Sequence, residues 1–161
     1  MSLNHIIVGG RKDINLDVAG LQINGLGVAG SNEVLLATPV PTFTSYVGDV
    51  PVLTSTDPIF GSRVVDSISM SGGYVITTNA TNTGKSFTVN LTLPDDIASA
   101  GDPGGSVVCT GVSTTGRTYI GVGKANDNIL SFTVHAADNA AIGVQEITLS
   151  WVTTYVSNPG V

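Results

Sequence analysis

From residue 63 to residue 156 apolar side chains recur at every second position, and no window sustains the 3.6-residue period of an amphipathic helix. The clearest run is Phe87, Val89, Leu91 and Leu93, set against Ser86, Thr88, Asn90 and Thr92. Successive side chains of a strand point to opposite faces, so such a run buries one face and wets the other. The same alternation marks 63–70 (Val64, Ile68, Met70), 73–78 (Tyr74, Ile76), 106–112, 117–123, 129–136 (Leu130, Phe132, Val134) and 144–156, where Ile147, Leu149, Trp151 and Tyr155 share a face. Turn-forming residues separate these runs at Ser71-Gly72-Gly73, Thr83-Gly84, Asp102-Pro103-Gly104-Gly105, Thr115-Gly116 and Asn126-Asp127-Asn128. The nearest helical candidate is 136–142, one or two turns at most. About seven or eight short strands with tight turns predict an all-β fold, an antiparallel β-sandwich of jelly-roll type, for a head at 61–161.

The first 60 residues read differently. Ile14, Leu16 and Val18 alternate, then Leu21 and Ile23, then Leu26 and Val28, with Gly20 and Gly25 between the pieces. Leu16-Asp17-Val18-Ala19-Gly20 is weakly echoed by Leu21-Gln22-Ile23-Asn24-Gly25. Pieces this short form no independent core, so pairing with other copies of the chain is what would stabilise them. Residues 1–38 are expected to be an N-terminal β arm for attachment and oligomerisation, with Leu16, Val18, Leu21, Ile23, Leu26 and Val28 as its assembly residues. The stretch 39–60 holds Pro39, Pro41, Pro51 and Pro58. Proline donates nothing to a ladder, so this is expected to be an extended connector with edge strands at most.

Charge then removes whole classes of partner. Only 11% of the 161 residues are charged, and the net charge is −6 with six Lys plus Arg. The basic residues are scattered, whereas phosphate recognition needs them clustered, so nucleic acid and anionic membranes are not expected partners. The N-terminus lacks the basic start and long apolar run of a signal peptide, and no stretch reaches the roughly 18 apolar residues of a membrane helix. The one cysteine, Cys109, lies within an apolar run and reads as a buried, inert thiol.

No motif names a reaction. Gly84-Lys85-Ser86 is the tail of a phosphate-binding loop, but the required upstream glycine is Asn79, and a strand pattern follows where a helix is needed. His5 and His135 have no nucleophile elbow to serve, and His135 is expected on a strand's outer face. Asp95 and Asp96 are expected to cap a short turn rather than to act as paired acids. The Asn/Asp loops lack calcium-loop spacing, the sequons at Asn79 and Asn90 read as chance, and no cofactor or metal is expected. Of the aromatics, Tyr46 and Tyr119 are the candidates for exposure. With Arg117 and Asn126 they make the best available ligand contacts, of the kind that a carbohydrate- or receptor-binding module uses on a surface glycan.

The layout resembles small virion proteins, namely fibre heads and trimeric capsid decoration proteins. The resemblance rests on the Gly-punctuated pieces at 14–28, the proline-rich connector at 39–58 and the closing run Ile147-Thr148-Leu149-Ser150-Trp151-Val152-Thr153-Thr154-Tyr155-Val156. It implies a homotrimer, an arm anchored to a capsid or tail protein and a β-sandwich head. A chain lacking a signal peptide is expected to reach the outside by lysis, as virions do, and ionisable groups this few and unclustered lead to the expectation of no catalytic activity. It carries over no functional residues.

Overall fold

The computed structural model describes the backbone of residues 5–6, 14–17, 20–23, 26–27 and 33–37, and both backbone and side chains of 39–64, 66–100 and 105–157, the Asp96 side chain excepted. Strands β1 (His5–Ile6), β2 (Ile14–Asp17), β3 (Gly20–Ile23) and β4 (Leu26–Gly27) form one antiparallel sheet in chain order. Its register sets Ile14 opposite Ile23, Leu16 opposite Leu21 and Leu26 opposite Ile23, while Asn15 meets Gln22. The register thus sets apolar residues opposite one another in this small sheet. Val18 and Val28 lie outside the described residues.

The remaining strands are β5 (Glu33–Ala37), β6 (Thr42–Thr44), β7 (Val52–Thr56), β8 (Ile59–Val64), β9 (Ser67–Thr78), β10 (Ser86–Thr92), β11 (Ser106–Ser113), β12 (Thr118–Asn126), β13 (Ile129–Ala136) and β14 (Gln145–Val156). They form one sheet in the order β5-β8-β9-β14-β11-β12-β13-β10-β6, antiparallel at every pairing, with β7 also on β9. The expected all-β antiparallel architecture is present, and its two packed walls belong to one curled sheet. The curl is visible in the core: the Phe132 and Trp151 rings lie 6.3 Å apart although β11 and β12 separate their strands. It is visible at the rim as well, where the Tyr155 hydroxyl donates to the Ile97 carbonyl at 2.7 Å and Ser99 bridges to Ser157.

The proline-rich stretch takes part in this curl. β6 pairs with β10 at one edge of the sheet, and β7 pairs with the second half of β9 near the other. Residues 42–56 therefore span from edge to edge. Pro41, Pro51 and Pro58 each stand immediately before a strand, where a missing N–H costs no ladder bond.

Inward positions alternate as the sequence predicts for β10, β13 and β14. Phe87, Val89, Leu91, Leu130, Phe132, Val134, Ile147, Leu149, Trp151 and Tyr155 are all buried, each contributing roughly 1.5–3 kcal/mol by leaving water. Cys109 is buried too, and burial pushes its thiol up to about 12, so the inert reading stands.

Three local expectations are corrected. Ser71-Gly72-Gly73 is no turn, because β9 runs unbroken through it; the turn lies earlier, around Asp66, and divides the expected strand 63–70 between β8 and β9. The glycine at 72 stands directly opposite Trp151, and a Cβ there would come within 2.8 Å of the indole. Residues 136–142 form no helix. Asp95 caps nothing with its side chain: the 3-10 turn Asp95–Ile97 is closed by backbone bonds from Ile97 to the Pro94 carbonyl and from Ala98 to that of Asp95.

Candidate functional site

The four candidate contacts do not converge. Arg117 precedes the first residue of β12 and Asn126 is its last, so the nine-residue strand holds them roughly 30 Å apart. Tyr119 is 1% exposed and packs inward, which corrects its expected display to solvent. Burial raises its phenol pKa, an effect the nearby Arg117 charge opposes.

Arg117 is instead a rivet. Its Nε and Nη2 donate to the two Asp138 carboxylate oxygens at 2.9 and 2.7 Å, Nη2 also reaches the Ala140 carbonyl, and Nη1 donates to those of Ala141 and Ile142. A guanidinium has five N–H groups, and all five are engaged, so no donor remains for a ligand. The group also lies over the Tyr119 ring, with Cζ 5.6 Å from its centroid. The missing helix at 136–142 follows from where its N–H groups go: those of Ala140, Ile142 and Gly143 donate to the Asp138 carboxylate and to the Gly84 and Asn82 carbonyls, not four residues back along the chain. Asn139 turns the loop in the left-handed region at φ 55°.

The Asp138 carboxyl is held below its ordinary range, chiefly by the Arg117 hydrogen bonds and next by the Ala140 N–H, and Arg117 is raised for the same reason. A depressed carboxyl contributes stability above its unfolded pKa near 3.8 and loses it as pH falls through the lower folded value. Thermal melts should therefore show this loop's contribution intact at neutral pH and lost below about pH 4. Asp138→Asn should flatten that acid limb. Arg117→Ala, which orphans three carbonyls, should lower Tm by roughly 5 °C at pH 7; an unchanged Tm would mean that the loop holds itself.

Tyr46 is half-buried against the core beside Val47, Thr78, Asn82 and Ile142. Asn82, which the sequence reading passed over, organises this end. Its side chain donates to the Asp49 carbonyl at 2.6 Å and accepts from the Asn79 N–H at 2.8 Å, tying the segment between β6 and β7 to the turn after β9. The only sequence signal for it is its place in an Asn/Thr-rich turn. Asn79 is engaged by Asp49 and Thr81. The carbonyls of Gly84 and Lys85 accept bonds from Ile142 and Ala136, and β10 follows, so this loop has strand-turn geometry rather than that of a phosphate cradle. His135 is exposed on the outer face of β13. Among the described residues no group of three or more His, Cys, Asp or Glu is placed to hold a metal ion, and no helix is long and apolar enough to cross a membrane.

No protein-family model matches the chain, and no curated protein matches it. A solved structure that does match is residues 117–326 of avian reovirus sigmaC, with a TM-score of 0.52 over 98% of this chain and 79% of that one. Sequence identity is 12%, so the likeness is one of fold.

Proposed function

We propose that this chain is a non-enzymatic structural protein of a virion, a homotrimer whose curled sheet is a fibre-type or decoration-type head and whose N-terminal strands attach it to a capsid or tail protein. The observation that carries the reading is the likeness of fold, over nearly the whole chain, to a reovirus protein. The arm's register supports it, since apolar residues stand opposite one another across a four-stranded sheet of two- to four-residue strands, too small to form a core of its own. The glycan-binding reading is weakened, because Tyr119 is buried and Arg117 has no free donor.

Light scattering tests the proposal. The full chain should have about three times the 16.4 kDa mass of one chain. Replacing Leu16, Leu21 and Ile23 by aspartate should lower that mass while the near-ultraviolet circular dichroism of buried Trp151 is unchanged. A single-chain mass for the unaltered protein at micromolar concentration would overturn the trimer.

A further inference from the structure

We infer that the outer wall of β8, β14, β11 and β12 is an interface between copies of this chain, an inference that deepens the trimeric reading above and rests on it. The outward positions here are apolar where a solvated face would be polar: Phe60, Val108, Ile120, Val122 and Val152 are 57%, 51%, 58%, 67% and 52% exposed. Register makes them contiguous. Val108 stands opposite Val122 on one side and Val152 on the other, and Val152 and Phe60 flank Ser71 of β9. With strands about 4.8 Å apart, the stripe runs roughly 20 Å across the sheet.

Its relief suits insertion. Small Ser71 between Phe60 and Val152 leaves a concavity of about 300 Å³ lined also by Ser62 and Ser69, and Ile120 and Val122 are exposed at the other end. A second copy therefore offers apolar side chains of the size this concavity takes. Charge points to the same occupant. Two copies of a chain with net charge −6 repel unless the acids at their contact are few or meet basic groups. Every aspartate whose side chain is described lies between strands or in the 3-10 turn, and among strand acids with described side chains Glu146 is near the start of β14. The ionisable groups bordering the stripe are Asp57 at the concave end, its carboxylate over Gly73 beside Phe60 and Ser71, and Lys124 and His135 at the other end, with Ser and Thr elsewhere around it. An uncharged apolar centre within a mostly Ser/Thr rim is the anatomy of an association surface.

The test uses the full chain and the fact that its native thiol is buried. Val122→Cys places a thiol in the stripe, and Val144→Cys places one at a position that is 66% exposed, outside it. In an isolated chain the two would be alkylated at similar rates. In the assembled protein Val122→Cys should react at least roughly tenfold more slowly than Val144→Cys. Val108→Asp together with Val152→Asp should lower the mass seen by light scattering while the Trp151 near-ultraviolet signal is retained. A multimer in which both thiols react equally would overturn the stripe and leave the trimer standing. A single-chain mass for the unaltered protein would remove both. Protection of Val122→Cys in a single chain would mean that the chain's own N-terminal strands lie there, which also overturns the inference.

Discussion

Gly123→Val should leave the chain unable to form its curled sheet. β12 and β13 approach so closely at this point, where Gly123 faces Phe132, that a Cβ on residue 123 would lie 1.9 Å from the Ser131 carbonyl oxygen and 2.4 Å from the Phe132 Cα. Those obstacles are backbone, which no rotamer change moves aside. To admit the side chain the two strands must part, giving up ladder bonds on both sides and the seating of Phe132 against Trp151. The expected loss exceeds about 4 kcal/mol, at the far end of what one substitution does. It should appear as insoluble protein, or after refolding as the absence of the buried-Trp151 fluorescence transition in denaturant. Lys124→Ala, one residue on and facing outward, should stay within about 0.5 kcal/mol of the parent chain. A soluble Gly123→Val with the parent's midpoint would refute the close approach.

The glycines mark the boundary between what could and could not be read from residue order. Where a strand's inward residues are large and its outward ones polar, as in β10 and over residues 130–135 of β13, period two suffices, and β13 is found at 129–136 as expected. Where the partner across the sheet decides which residue fits, one strand alone is ambiguous. Gly72 resembles a turn residue until Trp151, far along the chain, is placed beside it. Tyr119 resembles a display residue for the same reason: it sits at an inward position opposite Gly111, whose missing side chain makes room. The segment 136–142 is the nearest helical candidate in the sequence, and its real shape depends on partners far along the chain, Gly84 and Asn82 for its N–H groups and Arg117 for its carbonyls. Each failure concerns a pairing distant in sequence, and the edge-to-edge span of β6 and β7 is the largest such case. What the alternation did carry was the class of fold. The likeness to the reovirus protein extends that class to the whole chain without conveying a site. The outer wall was hidden differently. Val and Thr are both β-branched and interchangeable in a strand pattern, so a row of exposed valines becomes visible only once register aligns Val152, Val108 and Val122.

The second large effect is at Trp151, 2% exposed and packed between Tyr74 at 6.4 Å and Phe132 at 6.3 Å between ring centroids. Trp151→Ala should cost about 3–5 kcal/mol, because the surrounding walls belong to one hydrogen-bonded sheet and close only partly over the space left. Trp151→Phe should cost clearly less, because a ring remains against Tyr74 and Phe132 and less space is left to close. The decisive comparison adds Gly72→Ala. In the parent chain the new methyl meets Cζ2 of Trp151 at 2.8 Å and Cγ1 of Ile59 at 3.0 Å, an overpacking expected to cost about 1–3 kcal/mol. With alanine at 151 the larger obstacle is gone and the methyl fills part of the space, so Gly72→Ala should become neutral or stabilising. Denaturant unfolding followed by far-ultraviolet circular dichroism of the four proteins gives the coupling, expected above about 1 kcal/mol. If the two losses simply add, residue 72 is glycine for a reason other than the indole, and the pairing of small with large across β9 and β14 is not what sets the curl there.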